Sequence, residues 1–312
     1  MYKEFNKAKR LEEGDTIGLV SPSEPMLYSE RLERGIKELE LMGFKCELGK
    51  HSRESLGYMA GCDEDRAEDI NYMFRNPSIK GIITTTGGSC ANRILPLLDY
   101  ENIGKNPKIF LGISDISVLI NAIHKKSNLV TFHGPYVLHG ICGMSDYNRE
   151  YFKKALTTSE PIGVVREFAP RKILKEGAAS GRLVGGNLSS IRSLIGTSYE
   201  PDWQDKILFW EEYTTEPHDI DRILMHLKLI GALEKIKGMV IGNLSMCKEV
   251  KYKDCDIKLE EMIRDHCTGF DFPIMSNLDF GHNCQNATLP LGVMATINTY
   301  QRKFSIDEPG VV

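Results

Sequence analysis

Short apolar runs alternate with amphipathic stretches through the first half of the chain. Apolar runs at 16–20, 44–48, 81–84 and 108–112 end in turn residues, a pattern that predicts buried strands. Between them, apolar residues recur at helical spacing, as at Ile116, Leu119, Ile120 and Ile123. Strands that alternate with short helices predict a parallel sheet covered on both faces. In such sheets, ligands bind beyond the carboxyl ends of the strands.

The pattern changes after about residue 155. The polar, proline-punctuated stretch 157–171 predicts a linker, and short strands at 207–210, 238–244 and 293–297 follow with helices between them. A chain of 312 residues also exceeds the usual size of a single core. We therefore predict an α/β domain over 1–160, a linker over 161–175 and a mixed α/β domain over 176–312.

Composition narrows the choice of partner and compartment. The chain is 41% hydrophobic and 26% charged with a net charge of -4, which favours neither nucleic acid nor an anionic membrane as partner. The first ten residues lack the apolar region of a signal peptide, and no apolar run is long enough to cross a bilayer. We therefore expect a cytoplasmic protein.

The cysteines and histidines are candidate metal ligands. Eight cysteines form no Cys-x-x-Cys pair. One cluster near the C-terminus has the right donor types for zinc, and its members are Cys247, Cys255, His266, Cys267, His282 and Cys284. Its spacings match no known zinc motif, so we expect no metal.

The segment 110–116 carries the strongest candidate for chemistry. An apolar strand ends in Gly112-Ile113-Ser114 and turns directly into a helical pattern. This is typical of a nucleophile elbow, which exposes a serine oxygen at the carboxyl end of a sheet. Ile116 occupies the place of the usual second glycine. Ser114 is therefore the candidate nucleophile, with an ordinary helix-capping serine as the alternative.

A serine nucleophile needs a base and a carboxylate that orients the base. His282, in a glycine-containing turn after an apolar segment, is the better candidate base, and His133 could also border the cleft. Glu211 and Glu212 follow a strand-like run. Because side chains alternate along a strand, only one of the two can face a cleft.

The developing oxyanion needs backbone N–H donors. The amide of Asp115, directly after Ser114, is one candidate. The turn Thr86-Gly87-Gly88-Ser89 offers others, because glycine lets the backbone approach a ligand closely. This turn could also simply join a strand to a helix. The Gly-x-Gly-x-x-Gly fingerprint of dinucleotide sites is absent, so we expect no cofactor.

Taken together, these pieces resemble the LD-carboxypeptidase family of serine peptidases, which includes the microcin C self-immunity proteins. The resemblance covers nearly the whole chain. Its landmarks are the segments 14–23, 87–88 with 92–99, 112–115, 183–188, 207–212 with 221–224, and 280–282 with 289–292.

The resemblance implies a fold and a site. The implied fold is a flavodoxin-like N-terminal domain followed by a C-terminal domain that contains a small β-barrel with flanking helices. The implied catalytic residues are Ser114, Glu211 and His282, meeting across the domain interface. The implied oxyanion and substrate-binding residues are Gly87, Gly88, Ser89, Asp115 and Asn187. The resemblance further implies a homodimer without metal or cofactor.

One departure from the family pattern concerns the substrate. In carboxypeptidases that trim murein tetrapeptides, Arg usually precedes the Gly-Gly turn and Tyr-Gly follows it, whereas here Thr86 precedes it and Ser89-Cys90 follow. This favours a small peptide-like substrate of the self-immunity type, an acyl amide in a peptidyl-nucleotide, over murein tetrapeptide. A module that binds peptides or murein fragments without cleaving them is the alternative from another class.

Overall fold

The protein is described by a computed structural model that covers residues 5–248, 250, 258–283 and 285–312. Two sheets, each with its own flanking helices, dominate the described part of the chain. Its strands are β1 (Thr16–Val20), β2 (Lys45–Leu48), β3 (Ile79–Thr84), β4 (Ile109–Gly112), β5 (Phe132–His133), β6 (Gly163–Val164), β7 (Lys172–Lys175), β8 (Ala178–Asn187), β9 (Lys206–Tyr213), β10 (Gly238–Ser245), β11 (Ile274–Ser276), β12 (Leu289–Pro290), β13 (Met294–Asn298) and β14 (Lys303–Ile306).

The helices fall where apolar residues recur at helical spacing. They are α1 (Ser29–Leu41), α2 (Asp63–Arg75), α3 (Tyr100–Lys105), α4 (Ser117–Ser127), α5 (Asp146–Leu156), α6 (Leu188–Arg192), α7 (Pro217–Leu229), α8 (Ala232–Lys235) and α9 (Leu259–His266). The segment Ala91–Leu97 forms a 3₁₀ helix with Pro96 inside it. Proline lacks the N–H that an α-helix would need there. Among the described residues, no helix combines the length and apolarity that a membrane span requires.

The first sheet confirms the predicted α/β class. Its order is β12-β5-β4-β3-β1-β2, and the strands from β1 to β5 pair in parallel. The order 2-1-3-4-5 is that of flavodoxin-like sheets. A late segment, β12, adds to the β5 edge in antiparallel orientation. The C-terminal part of the chain therefore completes the first sheet.

The second sheet differs from the small β-barrel that the resemblance implied, and that expectation was wrong. Within the described residues it is an open sheet of eight strands in the order β6-β14-β13-β8-β9-β10-β11-β7. Closing a barrel requires the two edge strands to pair. Here β6 pairs with β14 and β7 pairs with β11, at opposite edges, and β6 is only two residues long. In its centre, β8, β9, β10 and β11 run parallel.

Both β6 and β7 come from the segment 161–175, for which we predicted a linker. The division of the chain into domains stays a prediction. One large cluster of buried side chains contains residues of both sheets, among them Ile83 of β3 and Phe209 of β9. A second cluster, including Trp203 and Trp210, lies under α6, α7 and α9.

Candidate active site

Ser114 stands at a sharp turn between strand and helix. β4 ends at Gly112, Ile113 is extended, and Ser114 begins a 3₁₀ turn that leads into α4. Its φ of 67° is in the left-handed region that non-glycine residues rarely adopt. A side chain on Gly112 would meet Ile116 at 2.5 Å. The turn can therefore be this tight with isoleucine at the usual glycine position, because Gly112 leaves space for it.

The glycine turn after β3 packs directly on this serine. A Cβ atom on Gly87 would lie 2.8 Å from Ser114 Cβ and 3.0 Å from its Oγ. Gly88 has a φ of 142°, and a Cβ there would clash with Ser23 Oγ. Both positions thus require glycine, one for close approach and one for its backbone conformation as well. Ser89, which follows them, is exposed.

Asp115 uses its side chain to hold this turn together. Its carboxylate accepts hydrogen bonds from Ser23 Oγ at 2.5 Å and from the Ala91 N–H at 2.7 Å. The second N–H of a helical turn has no partner inside the turn, so the Asp115 amide is available to a ligand. It lies 3.7 Å from where a Cβ on Gly87 would be. The side chain of Asp115 therefore has a structural role, whereas its backbone N–H is the candidate oxyanion donor beside Ser114.

Glu211 and His282 form a buried hydrogen-bonded pair. Glu211, on β9, is fully buried, and its Oε2 accepts hydrogen bonds from His282 Nδ1 at 2.6 Å and from the His282 N–H at 3.3 Å. An ionised carboxylate only accepts hydrogen bonds, so the ring proton is on Nδ1 and Nε2 is left as a base. The pairing joins residues 71 positions apart.

The two groups shift each other's pKa. Burial lowers the pKa of His282, but the charge and hydrogen bond of Glu211, with a smaller contribution from Glu212, outweigh it and raise the pKa above its usual range. Burial would raise the pKa of Glu211, but the imidazoles of His282 and His133 hold it well below its usual range. Glu211 is therefore ionised and His282 is a stronger base than an ordinary histidine.

Glu212 points to the other side of β9, as strand alternation requires. Its carboxylate accepts hydrogen bonds from the Ser189 N–H, from Thr215 Oγ1 and, at 3.2 Å, from the Tyr213 N–H. Burial raises its pKa. Glu212 therefore serves the local structure.

Asn187 connects the second sheet to α4, the helix that follows Ser114. At the end of β8 it pairs in register with Glu211, and its N–H donates to Ser117 Oγ at 2.8 Å, three residues after Ser114. Its side-chain oxygen accepts hydrogen bonds from the N–H and the Oγ of Ser190, so Asn187 is the N-cap of α6. Its side-chain oxygen thus serves as the helix cap, and a role of Asn187 in substrate binding stays a prediction.

Sequence reasoning missed two contacts of His282. The ring of Tyr213 stacks on the imidazole, with centroids 4.9 Å apart and planes 17° apart. Ser245 Oγ donates to the His282 carbonyl at 2.6 Å. Tyr213 could have been found, because it lies two residues after Glu211 and so on the same face of β9. Ser245 carries no such signal.

His133, the other histidine that we considered, lies on β5 and is completely buried. Its Nε2 is 3.9 Å from Glu211 Oε1, which is too far for a hydrogen bond. Its position beneath the carboxylate excludes it from the role of base at an open cleft.

The described members of the cysteine and histidine cluster near the C-terminus do not come together as a group that could hold a metal ion. Cys255 and Cys284 lie outside the described residues. Burial raises the pKa of Cys247 to about 12 and that of Cys267 to about 11, so neither is a ready thiolate ligand. His266 Nε2 is bonded to Asp221 at 2.6 Å.

A different group of ligand-type side chains lies close together in the described part of the chain, and it consists of His51, Glu54 and Asp65. His51 faces Glu54 with Nδ1 at 2.6 Å and Asp65 with Nε2 at 3.6 Å. With a carboxylate at each ring nitrogen, this geometry is that of an ion-paired imidazole.

Comparison with known proteins gives the same family along both halves of the chain. The LD-carboxypeptidase N-terminal domain matches residues 17–134, and the LD-carboxypeptidase C-terminal domain matches residues 180–297. A probable murein peptide carboxypeptidase of Bacillus subtilis is 35% identical, over 98% of this chain and 95% of that protein.

Self-immunity proteins are similar to this chain as well. The microcin C7 self-immunity protein MccF of Escherichia coli is 30% identical, over 96% of this chain and 95% of that protein. The solved structure of MccF in complex with glutamyl sulfamoyl guanosine superposes with a TM-score of 0.89, at 28% identity, and covers 98% of this chain and 99% of that one. An MccF-like protein of Bacillus anthracis superposes with a TM-score of 0.87, at 32% identity, over 96% and 99% of the two chains.

Proposed function

This chain belongs to the LD-carboxypeptidase family of serine peptidases, and we propose that Ser114, His282 and Glu211 are its nucleophile, general base and orienting acid. The chain is a serine-type carboxypeptidase. The observation that carries the assignment of residues is the buried Glu211–His282 pair, whose 2.6 Å hydrogen bond leaves Nε2 as the free base. The left-handed turn at Ser114, packed on Gly87, supports the choice of nucleophile.

The proposed reaction is acyl transfer through an enzyme-bound ester. Ser114 Oγ attacks the scissile carbonyl carbon while its proton moves to His282 Nε2. The N–H groups of Gly88 and Asp115 stabilise the oxyanion, and His282 then gives its proton to the leaving amine. A water molecule next attacks the ester carbonyl and passes a proton to His282, which returns it to Ser114 as the acid product leaves.

Glu211 contributes by keeping the imidazole in the correct tautomer and by stabilising its cation. A carboxylate that is fully buried interacts more strongly with the imidazolium than an exposed one would. The raised pKa of His282 fits this role, since a base must hold the serine proton during attack.

For the substrate, we propose a small peptide-like acyl amide of the self-immunity type. Thr86, where murein-trimming relatives usually carry Arg, donates a hydrogen bond to Glu24 at 3.1 Å. This side of the Gly-Gly turn therefore presents a neutral residue paired with an acid. MccF has been crystallised with aminoacyl sulfamoyl nucleotides. Murein tetrapeptide is the alternative substrate, supported by the name of the Bacillus subtilis relative.

The test offers both substrates to the protein. A murein tetrapeptide and an aminoacyl sulfamoyl adenosine are incubated separately with the wild type and with Ser114→Ala, and mass spectrometry follows the leaving group. We expect the wild type to release the aminoacyl group and Ser114→Ala to lose nearly all turnover while remaining folded, because triad residues act as a unit. Cleavage of the tetrapeptide alone would select the murein alternative.

Normal turnover by Ser114→Ala would refute the proposed nucleophile. Binding of either compound without any product, together with a Ser114 that does not react with a serine-directed probe, would favour a binding module. A homodimer and a cytoplasmic location also belong to this proposal, and size-exclusion chromatography with light scattering tests the former.

A further inference from the structure

Two imidazoles flank Glu211, one at each carboxylate oxygen. Oε2 is bonded to His282, whereas Oε1 faces His133 Nε2 at 3.9 Å. Glu211 and His133 are both fully buried. Within the described residues, neither Glu211 Oε1 nor either ring nitrogen of His133 has a hydrogen-bond partner. The proposed mechanism uses His282 and leaves His133 without a role.

Buried polar atoms without partners are costly and rare in folded proteins. An imidazole at this position costs free energy that a phenylalanine of similar size would not. The carboxylate has the same problem at Oε1, and the two groups face each other. A pair of this kind is electrostatically favourable when the imidazole directs an N–H toward the carboxylate, and a low-dielectric interior strengthens that attraction.

The surroundings of His133 fix its orientation. Phe209 packs against the ring edge-on with centroids 5.3 Å apart, and Phe280 does so at 6.2 Å. Gly186 lies on another side, where an added Cβ would be 3.6 Å from His133 Cδ2. Phe209 belongs to the strand of Glu211, and Phe280 lies two residues before His282. The ring thus sits in an apolar enclosure built from the segments that carry the proposed acid and base.

We propose that His133 is a positioning residue for the reaction: its Nε2–H points at Glu211 Oε1 and holds the carboxylate ionised and oriented toward His282. The inference rests on the proposed function, because it deepens the role of Glu211. His133 exchanges no proton with substrate and touches none. It acts through Glu211, on the side opposite to the base.

Among the described residues, few other titratable groups surround the pair. Glu212 follows Glu211 on the same strand. Burial raises the pKa of Tyr136, which lies after β5, and the nearby charge of Glu211 adds to that rise. Tyr213 stacks on His282. Beyond them, His139 and Arg31 contact each other at 3.1 Å. Burial lowers the pKa of His139, and the charges of Arg31 and His282 lower it further. In the described structure, His133 is the group that faces Oε1.

The experiment compares two variants of one residue. His133→Phe keeps the ring and removes the N–H, whereas His133→Gln offers a carboxamide N–H near the position of Nε2. We expect His133→Phe to lower kcat by about 10- to 100-fold, the loss typical when a partner that orients a metal-ligating side chain is removed. The acid limb of its kcat/KM profile should move to higher pH, because the positive end of a dipole no longer opposes protonation of His282. His133→Gln should restore most of the rate and the position of the limb.

His124→Gln is the matched control. This second buried histidine lies on α4 and bonds the Leu129 carbonyl at 2.8 Å, away from Glu211. Its pH profile should be that of the wild type. Equal loss in His133→Phe and His133→Gln, or an acid limb that does not move in His133→Phe, would overturn the proposal and leave His133 a packing residue.

A spectroscopic test needs no folded variant of His133. In ¹⁵N-histidine NMR of the wild type, His133 should be protonated at Nε2, and its Nε2–H resonance should shift in Glu211→Gln. Protonation at Nδ1 alone, or no response to Glu211→Gln, would contradict the inference. Should Ser114→Ala retain turnover, the proposed function itself has failed. If Ser114→Ala loses turnover but His133→Phe and His133→Gln have the same kcat, only the proposed role of His133 is refuted.

Discussion

At the scale of single residues, neighbouring glutamates on β9 have opposite duties. Glu211 orients the imidazole of His282, whereas Glu212 satisfies N–H and hydroxyl donors around Ser189 and Thr215. The carboxylates are adjacent in sequence and both are buried, so composition alone cannot distinguish them. Their hydrogen-bond partners can.

We therefore predict different outcomes for the same substitution. Glu211→Gln should lower kcat by about 10⁴-fold, the scale seen when the acid of a serine–histidine triad becomes an amide and the imidazole adopts the wrong tautomer. Glu212→Gln should stay within several-fold of wild-type kcat and lose about 1–3 kcal/mol of unfolding free energy, because a buried donor loses its acceptor. Steady-state kinetics and urea denaturation measure both variants. The reverse ranking of kcat would mean that the acid is Glu212.

Gly87 makes the close approach between its turn and Ser114. Gly87→Ala would place a methyl group 2.8 Å from Ser114 Cβ, so the turn or the serine must move. Because displacements of about 1 Å in a catalytic centre can cost 100-fold, we predict a kcat/KM lower by about that factor. Gly143→Ala is the control, since nothing lies within 4 Å of its added Cβ and activity should not change. Equal activity of the two variants would remove Gly87 from the site.

The pH dependence follows from His282. The proposed base is active when neutral, and the pKa of His282 is raised above the usual value of about 6.5. Hence kcat/KM should be constant at alkaline pH and fall tenfold per pH unit once the pH drops below that raised pKa. The same profile in Glu211→Gln should have its acid limb at lower pH, since the carboxylate charge that favours the imidazolium is gone. A limb at or below the usual histidine value of about pH 6.5 in the wild type would contradict this.

At the scale of elements, the parallel strands and the turn at Ser114 could be predicted, because local sequence determines them. Apolar runs and the helical periodicity between them identify β1, β3 and β4, and Gly112 marks the tight turn at Ser114. The strand β12 could not be found, since two residues carry no periodicity and their pairing with β5 is set by the tertiary fold. The pairing of Glu211 with His282 is equally non-local, and only the family resemblance connected them.

Two further features of the structure depend on residues that are distant in sequence and close in space, so the sequence could not predict them. The open second sheet replaces the expected barrel because its edge strands lie at opposite ends of the strand order. The place of His133 under Glu211 depends on β5 of the first sheet lying against β9 of the second. The sequence identified His133 as polar after a strand, but no spacing rule could say which carboxylate it would face.

One hydroxyl links α4, the helix that follows Ser114, to the second sheet. Ser117 Oγ, fully buried at the start of α4, accepts the Asn187 N–H, and Asn121 Nδ2 on the same helix donates to the Gly185 carbonyl at 2.9 Å. A Cβ on Gly186 would lie 2.6 Å from Ser117 Oγ, so the two elements are in close contact. This joint ties the helix that follows Ser114 to β8, whose last residue pairs in register with Glu211.

Ser117→Ala should break the joint. The Asn187 N–H would be left buried without an acceptor, which costs about 1–3 kcal/mol of unfolding free energy. We also expect kcat to fall about tenfold as the two elements shift relative to each other. Ser193→Ala, at an exposed position bonded to the Ser190 carbonyl, should change neither quantity measurably. A stable, fully active Ser117→Ala would show that other contacts hold the elements together.

At the scale of the whole molecule, the two sheets share a core, and a late segment of the chain joins the first sheet. Ile83 and Phe209 belong to one cluster of buried residues although they come from different sheets, and β12 completes the first sheet from the far end of the chain. The proposed nucleophile, Ser114, follows a strand of the first sheet, and the proposed acid, Glu211, lies on a strand of the second, so the proposed site needs this coupling. The predicted domains should therefore unfold together.

Tryptophan fluorescence can test this, because Trp203 and Trp210 are the two tryptophans of the chain and both lie in the cluster under α6, α7 and α9. Ile83→Ala, in the first sheet, should remove about 2–5 kcal/mol of stability. If the sheets unfold as one unit, the fluorescence midpoint in urea falls by the same amount that far-UV circular dichroism reports. Lys80→Ala, exposed on the same strand, should leave the midpoint nearly unchanged. A fluorescence midpoint that Ile83→Ala leaves in place would instead mean that the first sheet unfolds alone, and the site would then depend on a docked interface between independent domains.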